Sequence, residues 1–149
     1  MQGGVNTGFK NLGDYVHAQG PKFGFISCGG IPRESVTRNL PIAASRFVAQ
    51  DAADQTDACP WDPTNWGVKD TTAGQSWDDS LIAQYAGWGV DYLKVDCISD
   101  HPYKPTEIRM LHRAIVKSGR AMVLSLSPGP TSPGVAQDLI PLAQMSNRP

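Results

Sequence analysis

No apolar run in the 149-residue chain approaches the about 18–20 residues that a membrane-crossing helix needs. The start, Met1-Gln2-Gly3-Gly4-Val5-Asn6, has neither the basic region nor the apolar stretch of a secretory signal. Excess positive charge is also missing: 13 Lys and Arg face 14 Asp and Glu, a formal net charge of −1. That argues against a nucleic-acid binder and against a polybasic membrane-surface protein. There is no Cys-x-x-Cys; the three cysteines, Cys28, Cys59 and Cys97, are far apart, so no metal site is expected. One disulfide with a leftover thiol, or three reduced thiols, would both fit. No Gly-x-Gly-x-x-Gly or Walker loop occurs, so no nucleotide cofactor is expected. Asn-x-Ser/Thr is absent as well. With 15 Gly and 12 Pro the chain is rich in turns. It still falls short of the about 25–30% at which a disordered reading takes over.

What is present is a unit of helix, glycine, strand and loop, used repeatedly. Phe9, Leu12, Tyr15 and Val16 recur at helical spacing, Gly20 stops the helix, and Lys22–Ser27 reads as a short strand leading into Cys28-Gly29-Gly30. Ser76 to Trp88 carries Trp77, Leu81, Ile82, Tyr85 and Trp88 on one face, closes at Gly89, and leads into the strand Val90–Asp96. Pro105 opens a third helix through Ile108, Leu111, His112, Ile115 and Val116 to Gly119, followed by the strand Ala121–Ser127. Val135–Ala143 starts a fourth unit. Helices alternating with short apolar strands imply a parallel sheet with right-handed crossovers. The second and third strands start about 30 residues apart, one α/β unit. The stretch from about 31 to 72 is a long excursion on the loop after the first strand, with Arg33–Asn39 a candidate short helix.

A doubly wound sheet and a (β/α)8 barrel both fit this order. The barrel is favoured because nucleotide fingerprints are absent and polar residues gather at strand C-termini, where barrel active sites sit. Along Tyr92–Asp96, alternation turns Leu93 and Val95 one way and Tyr92, Lys94 and Asp96 the other, into the barrel. An ammonium favours the ionised form of a neighbouring carboxylate, and an ionised carboxylate can act as nucleophile or base. A structural ion pair at a strand end is the plainer alternative.

Trp88-Gly89-Val90-Asp91-Tyr92-Leu93-Lys94-Val95-Asp96 resembles the nucleophile strand of glycoside hydrolase family 27, the α-galactosidase or melibiase family. Asp14 to Phe25 resembles that family's second helix and third strand, and Gly119 to Pro130 its fifth strand in a bacterial-type branch. Gly30-Ile31-Pro32-Arg33 and Cys59-Pro60-Trp61 look like the same branch. The resemblance spans nearly the whole chain. It implies an α/β fold, a partial TIM (β/α)8 barrel holding roughly strands 3 to 5 with flanking helices and the approach to strand 6. Residues 1–149 would then be a fragment of one catalytic domain, since a complete barrel takes about 250 residues.

By motif position the resemblance makes Asp96 the nucleophile of a retaining hydrolase of terminal α-galactosides. Lys94, Ser125, Ser127 and Trp61 would meet the carbohydrate substrate. The acid/base Asp of the family is not matched by any residue here. Many members carry Tyr or His where Ile26 stands, and Asp where Cys28 stands. Some join the loop after strand 3 to a Cys just past the nucleophile; Cys97 holds that place, with Cys59 or Cys28 as its partner. Members are often secreted, periplasmic or lysosomal. No nucleic acid, membrane or cofactor is implied, and the oligomeric state is open.

Other residues have plainer readings. His101 and Asp100 belong to the loop after Asp96, and His17 and His112 to helices away from the mouth. Trp66 is a loop anchor or a sugar platform. Asp70, Asp78 and Asp79 suit a helix's first turn. Two other functions stay open: a catalytically inactive barrel remnant with at most weak sugar binding, and an unrelated barrel lyase or aldolase using Lys94 as a Schiff base.

Overall fold

The structure, a computed structural model, describes residues 8–99, 103–126 and 133–134. Three parallel strands form its centre: β1 (Gly24–Cys28), β5 (Tyr92–Asp96) and β6 (Val123–Leu126), in spatial order β1-β5-β6. Helix α1 (Lys10–Ala18) precedes β1, α4 (Thr72–Gly87) leads into β5, and α5 (Pro105–Ser118) joins β5 to β6. The glycine stops hold: Gly20, Gly89 and Gly119 take φ of +96°, +80° and +71°, a region that a Cβ disfavours. The expected helix Val135–Ala143 lies outside the described residues.

The helices cover one face of this sheet. Leu93, Val95 and Leu124 are buried there against Ile82 of α4 and Ile108, Leu111 and Ile115 of α5. On the opposite face Ile26 is 73% exposed, Tyr92 41% and Val123 39%. A doubly wound sheet would cover both faces; a barrel turns one face inward towards its other strands. The one-sided covering is that of a partial (β/α)8 barrel.

The excursion is more ordered than its composition announces. It holds a second, antiparallel sheet, β2-β4-β3, made of β2 (Ile31–Pro32), β3 (Ala53–Cys59) and β4 (Asp62–Val68). Two short helices, α2 (Arg33–Thr37) and α3 (Ala49–Ala52), complete it. Its own core includes Ile31, Val36, Ile42, Ala52 and Val68, with Met110 of α5. Gly30 makes the entry possible: at φ +97° its backbone lies so close to the Trp66 carbonyl that a Cβ would collide with it.

α4 starts earlier than the apolar pattern implied. Thr71 caps it by accepting from the Gly74 amide at 3.2 Å. Asp78 and Asp79 therefore sit in the helix body rather than its first turn. Asp78 is 3% exposed, and its Oδ2 has no hydrogen-bond partner among the described residues. Burial, with the nearby Glu107 and Asp79 charges, pushes its carboxyl well above the usual range. A group raised by folding stabilises below its unfolded pKa and loses that contribution as pH rises through the folded value. Asp78→Asn is thus expected to raise the melting temperature, and more at pH 8 than at pH 5, in paired thermal melts.

At the opposite end of β5, Asp91 joins the units. Its Oδ2 accepts from the Phe23 amide at 2.9 Å and lies 2.6 Å from His17 Nε2; its Oδ1 accepts from Arg120 Nη2 at 2.8 Å. Arg120 also donates to the Val90 and Gly89 carbonyls, each at 2.7 Å. Burial opposes ionisation of Asp91, but the Phe23 amide, His17 and Arg120 outweigh it and hold the carboxyl below the usual carboxylate range. Such a group stabilises above its unfolded pKa, and the contribution is lost as pH falls through the lowered value. Asp91→Ala is expected to cost about 3–5 kcal/mol at neutral pH by denaturant titration. The gap to the parent should shrink as pH falls below the carboxylate range.

Candidate active site

The parallel register sets the site. Ile26, Lys94 and Ser125 stand level across the three strands, and Cys28 is level with Asp96 one step nearer the strand C-termini. Residues level in a parallel sheet point to the same face. Asp96, Lys94, Cys28, Ile26 and Ser125 therefore share the face that the helices leave open, as the alternation along β5 predicts. Lys94 Nζ lies 3.3 Å from Asp96 Oδ1, and both side chains are about one-third exposed (32% and 27%). That Oδ1 is itself buried and makes no hydrogen bond among the described residues, so the Lys94 ammonium is its charged neighbour there. Ser125 is partly exposed beside Lys94. Ser127, Asp100 and His101 lie outside the described residues.

The excursion returns to this mouth. Cys59, at the end of β3, forms a disulfide with Cys97, immediately after Asp96. Cys97 has φ +67°, strained for a residue with a Cβ, and the crosslink holds it there. Asn65 Nδ2 donates to the Gly29 carbonyl at 3.1 Å, and the Gly29 amide donates to the Asp96 carbonyl at 3.0 Å. The β3–β4 turn, with Trp61 and Asp62, is thereby fastened over the ends of β1 and β5. Trp61 is 53% exposed. Trp66 is not an open platform: the Arg33 guanidinium covers its ring at 3.6 Å, which makes it the anchor of the excursion. His17 and His112 lie away from the mouth, His17 in the Asp91 network and His112 buried on α5.

Asp62 and Cys28 were not singled out as a pair in the sequence. Asp62 accepts from the Thr64 amide and hydroxyl at 3.0 and 2.5 Å, and these bonds, with the nearby Cys28 thiol, hold its carboxyl below the usual range. Burial, the Asp62 bond and the Asp62 and Asp96 charges push the Cys28 thiol up to about 11. It is therefore a thiol, not a thiolate, at neutral pH. The signal available was Asp62-Pro63-Thr64, an acid with a hydroxyl two residues on, which folds back as a local turn. What it lacked was any hint that this turn meets Cys28.

A one-sided parallel sheet with a carboxylate–ammonium pair at the C-terminal end of its central strand defines a segment of a barrel enzyme, and the known proteins it matches are glycosidases. No family model matches the chain. Among curated proteins it is 30% identical over 131 residues to α-galactosidase 3 of Hypocrea jecorina, covering 78% of this chain and 19% of that protein. It is 31% identical over 121 residues to α-galactosidase A of Cellvibrio japonicus, covering 80% and 22%. Among solved structures it matches a glycoside hydrolase family 27 β-L-arabinopyranosidase of Geobacillus stearothermophilus, crystallised with arabinose. There the identity is 42%, the TM-score 0.88, and the coverage 95% of this chain and 33% of that one. A structure of a putative α-N-acetylgalactosaminidase of Bacillus halodurans gives 43% identity and TM-score 0.81, over 85% and 30%. The chain's curated homologues are thus α-galactosidases, and its structural neighbours include glycoside hydrolase family 27 enzymes. The chain spans about a fifth of the length of these curated relatives.

The disulfide closes 38 residues of chain, which by loop entropy alone is worth about 4 kcal/mol. Replacing both Cys59 and Cys97 by Ala is expected to cost about 2–4 kcal/mol. It should also speed amide hydrogen exchange in β3 and β4 more than in β1 and β5.

Proposed function

We propose that this segment carries the nucleophile of a retaining glycosidase acting on terminal α-galactosides and on pyranosides of the same ring stereochemistry, β-L-arabinopyranosides among them. The reading rests on one observation above all: Asp96 sits with Lys94 at the C-terminal mouth of the central strand, on the face that the helices leave open, with its side chain about one-quarter exposed (27%). A carboxylate oxygen of Asp96 attacks the anomeric carbon. The bond from the carbon to Asp96 forms as the glycosidic bond breaks, and the leaving oxygen takes a proton from a second carboxyl, about 5–5.5 Å away in retaining enzymes. Water then attacks the glycosyl ester, releases the sugar with its original anomeric configuration and restores the carboxylate.

Lys94, 3.3 Å from Asp96 Oδ1, donates to ring hydroxyls. Ser125, level with Lys94, and Ser127 add donors and acceptors beside the ring. Trp61 offers an apolar face of the kind pyranoses stack on. A Schiff-base role for Lys94 is disfavoured, because the similar proteins of known activity are glycosidases.

The test uses the complete enzyme. Asp96→Asn should lower kcat on p-nitrophenyl α-galactopyranoside or β-L-arabinopyranoside by about 10³-fold or more. In Asp96→Gly, added azide should restore turnover and give the glycosyl azide of inverted configuration. Near-parent activity in Asp96→Asn would overturn the assignment.

A further inference from the structure

Asp62 takes no part in the reaction sketched above, yet it lies in the hairpin fastened over the ends of β1 and β5. Cys28, level with Asp96 in the β1–β5 register, feels the charges of both carboxylates. The hairpin thus brings a second acid towards the open face of the sheet. Asp62 is also fixed there. Three residues before it, Cys59 is crosslinked to Cys97, and three residues after it, Asn65 is bonded to the Gly29 carbonyl. Its neighbour Trp61 presents an exposed ring at the same turn.

The chemistry left to Asp62 is narrow. An ionised carboxylate offers about four lone-pair sites. The Thr64 hydroxyl and amide both bond to Oδ1. Those contacts, with the nearby Cys28 thiol, hold its carboxyl below the usual carboxylate range. Asp62 is therefore ill-suited to be the proton donor of a retaining pair, which must hold its proton near neutrality. It is suited to accept a further hydrogen bond, from a neutral donor, at a partly exposed position. An exposed indole beside a carboxylate with acceptor capacity to spare fits a polyol: an apolar ring face against Trp61 and one hydroxyl on Asp62.

We propose that Asp62 is a substrate-binding residue of this site, accepting a hydrogen bond from one hydroxyl of the bound sugar, with Trp61 packing against the sugar's apolar face. The assignment rests on the glycosidase reading given above. It makes the hairpin of the excursion a wall of the site, with the Cys59–Cys97 disulfide and the Asn65 bond to Gly29 fixing where the wall stands.

The experiment compares the complete parent enzyme with Asp62→Ala, Asp62→Asn and Thr64→Val, on p-nitrophenyl α-galactopyranoside and its monodeoxy analogues. A hydrogen bond to a charged acceptor is worth about 10–150-fold. Asp62→Ala should raise KM by that order while kcat and the basic limb of the pH profile stay near the parent's. One monodeoxy substrate should lose the same factor with the parent and lose nothing further with Asp62→Ala. Thr64→Val, which loosens the turn but leaves the acceptor, should keep KM near the parent value. If Asp62→Ala does not fold, Asp62→Asn keeps the shape of the turn and carries the same comparison.

Additive losses for every deoxy substrate would overturn the contact. An equal KM rise in Thr64→Val would reduce Asp62 to a turn former. Loss of kcat with loss of the basic limb would make it the acid/base instead. A parent without activity on either glycoside overturns the glycosidase reading, whereas an active parent with unchanged Asp62 variants overturns this inference alone.

Discussion

One carboxylate holds the arrangement together. Asp91 enters β5 bonded to the start of β1, to α1 and to the residue that leads into β6. Two strands and a helix are registered against the central strand at one point. Five residues later, about 16 Å along an extended chain, the same strand ends at Asp96. The structural carboxylate and the proposed nucleophile thus occupy opposite ends of one short element. Their surroundings differ accordingly: Asp91 has both oxygens held by hydrogen-bond donors, whereas Asp96 Oδ1 has the Lys94 ammonium at 3.3 Å and no hydrogen bond among the described residues. This division, stability at the strand entry and chemistry at the exit, is the one that barrels repeat strand by strand.

The central sheet was legible because each of its signals is local. Three glycines end helices in a conformation other residues avoid, and β5 alternates so cleanly that Lys94 and Asp96 could be placed on one face from the sequence alone. The excursion was not legible in the same way. Asp54-Gln55-Thr56-Asp57 has no apolar alternation to mark a strand. It becomes β3 because distant partners hold it: the disulfide at Cys59, the ion pair from Lys104 to Asp57 at 2.6 Å, and Glu107 accepting from the Val68 amide at 3.2 Å. Asp78 shows a different limit. Its spacing suited a helix start, but Thr71 caps the helix a turn and a half earlier, and the acid ends up inside. Trp66 is the reverse case, an aromatic that could have met a sugar and whose ring is instead covered by Arg33.

The two cores explain how the parts stay in register. The first fills the space between the sheet and helices α4 and α5; the second lies under the excursion and shares Met110 of α5 with it. Helix α5 therefore packs against both, and its Glu107 reaches from the first core to the backbone of β4. Displacing α5 would disturb the excursion as well as the barrel sheet.

Asp96 and Cys97 are consecutive, so the crosslink and the carboxylate at the strand end meet across one peptide unit. Any swing of the hairpin is transmitted to the end of β5 through covalent bonds rather than through contacts that could slip. The hairpin and the strand end therefore move as one piece at that point.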